Sequence, residues 1–239
     1  MIPLRDDNPT STLPVLTVAL IAANVLVFFY QISLGPEASE ELVYQFGAIP
    51  AAVTGSRALP AALAVIPPIF SVFTSMFLHG GWIHLIGNML YLWIFGNNIE
   101  DAMGHIRYLV FYLLCGVAAS FSHILSDAQS LIPSIGASGA ISGVLGAYLL
   151  LYPRAKVLVL VPLGFFTQLM HIPASLVLGL WFLLQLLSSA MSGGQGGGVA
   201  WWAHIGGFIA GVLLVALFKK RNVRFFNPPV QQSGRFPDA

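Results

Sequence analysis

Six apolar runs, at about 14–33, 82–96, 106–124, 136–152, 172–190 and 200–218, constrain this chain more than any other feature. A helix needs about 20 apolar residues to cross a hydrocarbon core about 30 Å thick, and most of the runs approach that length, those at 82–96 and 136–152 being shorter. Composition points the same way: 57% of the residues are hydrophobic and 8% charged, against roughly 25% charged in ordinary globular domains. The expected fold is an all-α membrane bundle of six helices. A further apolar stretch at 59–78 carries Pro60, Pro67 and Pro68, which break a spanning helix.

Charge separates six spans from seven. With six, Arg5, Arg107, Arg154, Lys156, Lys219, Lys220, Arg221, Arg224 and Arg235 fall on one side of the membrane, and only Arg57 lies opposite. The positive-inside rule then puts both termini in the cytoplasm. The expected organisation is a cytoplasmic N-terminal segment at 1–13, a six-span domain at 14–219 and a disordered cytoplasmic tail at 220–239. Residues 34–81 become a long outside loop whose apolar second half lies in the interface or dips into the bilayer. Arg5, Asp6 and Asp7 ahead of the first run fit neither a transit peptide nor a cleaved signal. No basic stripe interleaved with aromatics exists to bind nucleic acid. The single cysteine, Cys115, forms neither an internal disulfide nor a CxxC metal site, and its place in an apolar run suggests packing.

Polar side chains inside a span are costly and mark function by default. Four stand out: His84 and Asn88 in the second run, Ser138 opening the fourth and His204 near the start of the sixth. At 1.5 Å rise per residue, Ser138 lies ~24 Å from Arg154, His204 ~22 Å from Lys219, Asn88 ~18 Å from Glu100 and His84 ~24 Å from Glu100. Each distance is measured from a cytoplasmic charge, so all four sit at similar depths below the outer surface. Singly, each has a packing explanation, a small serine among glycines or an asparagine joining helices. A shared level is what a common water-accessible cavity requires and what packing does not. Gly139, Gly143 and Gly146 after the serine, and Gly207 and Gly211 after the histidine, form small-residue stripes that let two helices approach closely.

A serine hydroxyl needs a base to take its proton, and a neutral imidazole within hydrogen-bond reach is the usual partner. Donors for the resulting oxyanion are at hand in the Asn88 amide, the His84 ring N–H and the Ser138 backbone N–H at a helix start. Gly136-Ala137-Ser138-Gly139 matches the GxSG motif of rhomboid proteases, and Ala203-His204-Ile205-Gly206-Gly207 with Gly211 resembles that family's AHxxGxxxG motif. His79, His84 and Asn88 resemble its second-span pattern, and Glu100 with Gly104 its structural ExxxG.

The resemblance implies a rhomboid-like bundle and a cofactor-free, metal-free serine endopeptidase. Ser138 and His204 would form a dyad, His84 and Asn88 would bind the oxyanion, and Gly136 would belong to a strand-like approach to the serine. Substrates would be transmembrane proteins entering laterally from the bilayer, and the expected location is a bacterial plasma membrane. Two positions depart from the family pattern. Ser142 stands where many members stack a tyrosine on the histidine, leaving open what orients His204, and 34–81 holds no tryptophan, leaving Phe70, Phe73 and Phe77 to anchor that loop in lipid. Two rival functions are a rhomboid-like binder that does not cut and a small transporter. The intact Ser138 and His204 weigh against the first, and the lack of an internal repeat against the second. Asp127 is the acid nearest the serine in sequence, yet a solvated loop charge accounts for it better than a triad member does.

Overall fold

The computed structural model describes residues 1–163, 166–191 and 200–227. The helices are α1 (Val15–Ser33), α2 (Pro36–Phe46), α3 (Pro50–Val53), α4 (Ser71–Thr74), α5 (Trp82–Met103), α6 (His105–Ser126), α7 (Ser138–Leu151), α8 (Ala174–Met191) and α9 (Trp201–Phe218). By length and composition, α1, α6, α8 and α9 can each cross a membrane. Segment Pro68–Phe77 and α5 qualify together, with an 81° bend between them. Among the described residues this is a helical membrane bundle of four or five such spans, with the apolar 14-residue α7 inside it.

The length of α7 follows from its position. At 1.5 Å per residue it spans only ~21 Å, but α5, α6, α8 and α9 surround it, so its ends need not reach the interfaces. All its residues from Gly139 to Tyr148 are buried. Its approach to α9 has no room for side chains: a Cβ on Gly207 would collide with the Gly139 carbonyl oxygen, and one on Gly211 with the Gly143 carbonyl oxygen. The glycine stripes therefore set the helix spacing.

Helix α1 starts after Pro14 with no side-chain cap of its own. The fully buried Glu100 of α5 supplies one from a distance, accepting hydrogen bonds from the Leu16 N–H (2.9 Å), the Thr17 N–H (2.7 Å) and the Thr17 hydroxyl (2.7 Å). A carboxylate at a helix N-terminus satisfies orphan donors and complements the helix dipole. Gly104, at φ +83°, then turns the chain from α5 into α6.

The structure departs from the all-α expectation at one end of the bundle. Strands β1 (Ile2–Asp6), β2 (Lys156–Leu163) and β3 (Phe166–Pro173) form an antiparallel sheet in the order β1-β2-β3. Val157 and Val159 are buried into the helical core while Leu158 and Leu160 are less so, the period-two burial of a half-covered strand. The same end gathers other segments: Ser11 donates to the Asp101 carboxylate (2.8 Å), and the Lys220 N–H donates to the Ala102 carbonyl (2.8 Å). Residues 220–227 of the expected tail are held there too, Phe226 and Asn227 donating to the Leu150 and Leu151 carbonyls. The rest of that expected tail, 228–239, lies outside the described residues.

Segment 34–81 holds short helical pieces separated by irregular chain, the longest such stretch lying at 54–67. Val72 and Met76 face the core, whereas Phe70 and Phe73 are exposed. Its first half pairs with the approach to α7 through an isolated bridge between Ala48 and Ser134, with N–H to carbonyl distances of 3.0 and 2.9 Å.

Candidate active site

A cavity of about 1060 Å³ opens between α5, α6, α7, α8 and α9, lined by residues that include His84, Asn88, Ser138 and His204. The four residues singled out by depth thus meet in one space. Ser138 is the first residue of α7, so its hydroxyl stands at the rim of the buried helix, where first-turn N–H groups lack intrahelical partners. The Ser138 Oγ lies 2.8 Å from the His204 Nε2.

The segment leading into Ser138 is extended and tied down on both sides. Beyond the Ala48–Ser134 bridge, the Gly136 N–H donates to the Ser75 carbonyl at 2.9 Å. Gly136 has φ +119°, and a Cβ there would come within 2.6 Å of the His84 Nε2 and 3.6 Å of the Asn88 Nδ2. Only glycine tolerates both the backbone angle and the proximity. The two α5 side chains therefore face the backbone that delivers the serine.

Asn88 is buried, with its Nδ2 2.9 Å from the His79 Nε2. One amide hydrogen is committed to the His79 ring, which fixes the amide plane and leaves the second hydrogen for the cavity. His79 is itself held by Gln31 of α1, whose Nε2 donates to the His79 carbonyl at 2.9 Å while its Oε1 accepts from the His79 N–H at 3.3 Å. The Gly80 N–H donates to the His84 Nδ1 at 3.4 Å, so this nitrogen is the acceptor and Nε2 carries the proton that faces Gly136.

His204 is buried on α9. Its Nδ1 lies 2.8 Å from the Oε1 of Gln185 on α8. The rings of Trp181 and Trp201 flank it, with centroids at 5.9 and 6.3 Å. Ser142 plays no part in this, since its hydroxyl donates to the Ser138 carbonyl at 2.6 Å. The Asp127 carboxylate accepts from the Gln129 N–H (3.3 Å) at the cavity mouth, and the partner of the His204 Nδ1 is an uncharged amide. Sequence reasoning missed Gln185 and Trp181. Gln185 carried the same signal that selected the other four, a polar side chain inside an apolar run. Among the described residues no cluster of His, Cys, Asp or Glu is arranged to hold a metal ion.

Fold and site define a multi-pass membrane protein with a serine and a histidine in contact inside a cavity of its helical core. The chain belongs to the rhomboid family: the Rhomboid domain matches residues 68–221. It is 31% identical over 203 residues to rhomboid protease GluP of Bacillus subtilis, covering 85% of this chain and 34% of that protein. It is 30% identical over 175 residues to rhomboid protein 1, mitochondrial, of Saccharomyces cerevisiae, covering 70% of this chain and 46% of that protein. RHOMBOID-like protein 5 of Arabidopsis thaliana is 38% identical over 78 residues, 33% of this chain and 25% of that protein. The chain thus spans between a quarter and about half the length of these curated relatives.

Proposed function

We propose that the chain is an intramembrane serine endopeptidase that hydrolyses a peptide bond in or near the transmembrane helix of a membrane-protein substrate, using Ser138 and His204. The contact between the Ser138 Oγ and the His204 Nε2 carries this reading. As Oγ attacks the scissile carbonyl carbon, Nε2 takes its proton, and the carbonyl electrons move onto oxygen. The Asn88 amide, the His84 ring N–H and the Ser138 backbone N–H stabilise that oxyanion. Collapse expels the amine, which receives the proton from His204. Water, deprotonated by the same imidazole, then attacks the acyl-enzyme and releases the acid.

The direct test uses purified protein in liposomes with a single-span substrate. Two fragments joined originally by one peptide bond support the reading. Substrate that co-purifies with the protein uncut would favour a binder.

For Asn88→Ala, turnover falls by about 10²- to 10³-fold in protein that remains folded, the cost of one oxyanion donor. An unchanged rate would return Asn88 to holding helices together.

The same reading places six spans in the membrane, α1 and α5 to α9, with both termini in the cytoplasm of a bacterial cell and the substrate entering from the lipid. Its support is the convergence of the strand holding Arg5, the turn holding Arg154, Lys156 at the start of β2, and Lys220 at one end of the bundle. A cysteine placed at Ala38 reacts with an impermeant reagent from outside, and one at Ser233 does not. The reverse pattern contradicts this topology.

A further inference from the structure

We infer that Gln185 is the positioning residue for His204, its side-chain oxygen holding the imidazole in the tautomer and orientation that make Nε2 a base toward Ser138. The inference rests on the proposed protease reading and adds to it the device that replaces a stacking ring at position 142.

A neutral imidazole has one protonated nitrogen, and a partner at one nitrogen decides the state of the other. With Gln185 Oε1 at 2.8 Å, Nδ1 must be the donor, because an amide oxygen can only accept. Nε2 is then left with its lone pair, 2.8 Å from the Ser138 Oγ. The opposite tautomer would set two lone pairs against each other at Gln185 and leave Nε2 unable to take the serine proton.

Orientation follows from burial. Gln185 is 7% exposed and His204 8% exposed. They stand on different helices, so their hydrogen bond fixes the ring relative to α8 while Trp181, one turn earlier on that helix, covers the ring at 5.9 Å. Ser142 hydrogen-bonds backbone and does not reach the imidazole. The remaining histidines around the cavity, His84 from α5 and His123 from α6, have no hydrogen bond to His204 among those described, and Asp127 accepts from Gln129. Gln185 differs from the carboxylate of a triad in being neutral: it selects the tautomer without drawing the proton toward a permanent charge.

Gln185→Met keeps the length of the side chain and removes the acceptor. It is expected to lower kcat by about 10²-fold with KM within about threefold. This is less than the about 10⁴-fold lost when an aspartate-to-asparagine change enforces the wrong tautomer, because methionine enforces neither. Gln185→Glu restores an acceptor and should return kcat to within about tenfold of wild type. The tautomer is read separately by nitrogen NMR of ¹⁵N-histidine-labelled protein, with His204→Gln identifying the signal. Wild type should show Nδ1 protonated and Nε2 bare, and Gln185→Met a mixture. These spectra need no turnover, so they judge the inference even if the chain cuts nothing. Failure of wild type to cleave would count against the protease reading alone. Wild-type protein with the proton on Nε2, or Gln185→Met with unchanged spectra and kcat, overturns the inference. Equal losses in the Met and Glu variants with the wild-type tautomer kept would overturn it too, in favour of simple packing.

Discussion

Ser138→Ala abolishes cleavage of a single-span substrate and leaves the bundle folded. The change removes one atom, the Oγ, whose hydrogen-bond partner in the structure is the His204 Nε2. Alanine is favourable in a helix and adds no bulk beside Gly139 and Gly207, where the backbones touch. Stability should therefore move little. Turnover should fall by about 10⁶-fold, as when a hydrolase whose groups act as a unit loses its nucleophile. Measurable cleavage by the alanine variant, at rates far above a protein-free control, would mean that another group attacks the peptide bond. Unfolding of the variant would be visible as a lowered thermal midpoint in detergent, which separates loss of chemistry from loss of structure.

His204→Ala has an effect of similar size, for a different reason. The nucleophile remains, but nothing takes its proton, and an unactivated hydroxyl barely reacts. Both peptide cleavage and reaction with an electrophilic phosphonate should disappear together, with turnover again down by about 10⁶-fold. The outcome that counts against the assignment is specific: continued phosphonate labelling at the wild-type rate would show that His84 or His123, which line the same cavity, serves as base. The deletion also empties space between Trp181 and Trp201, so His204→Gln, which fills it, is the companion variant.

The long helices were legible because each apolar run reports directly on its surroundings. Runs expected at 14–33, 106–124, 172–190 and 200–218 coincide closely with α1, α6, α8 and α9. Helix α5 extends seven residues past the run at 82–96, through Asn97, Asn98, Glu100 and Asp101. Hydropathy stops at those side chains, but the helix does not, because the partners of Asn98, Glu100 and Asp101 come from α1 and the N-terminal segment, far away in sequence. The sheet was missed for a related reason. Its strands are 150 residues apart at β1 and β2, and an apolar stretch such as 157–161 reads equally as a helix end or a half-buried strand until its partner is known.

The site was legible where one polar atom in an apolar run carried the message. His84, Asn88, Ser138 and His204 were found by that rule, and the structure brings them to one cavity. Gln185 met the same criterion. It was passed over because its role is relational: nothing in LWFLLQLLSS says that the amide faces an imidazole 19 residues later. Gln31 is similar, whereas His79 stood out in the sequence only through the family pattern and without its link to Gln31. They hold Asn88 in place through a chain of hydrogen bonds from α1, and spacing along the sequence does not encode it.

Fluorophosphonate labelling of the purified wild-type protein tests the central claim most directly, since it needs an activated serine and no knowledge of the substrate. The expected result is one adduct per chain, located on Ser138 by mass spectrometry and absent from Ser138→Ala and His204→Ala. A folded protein that takes up no label, or takes it at another serine, would contradict the account.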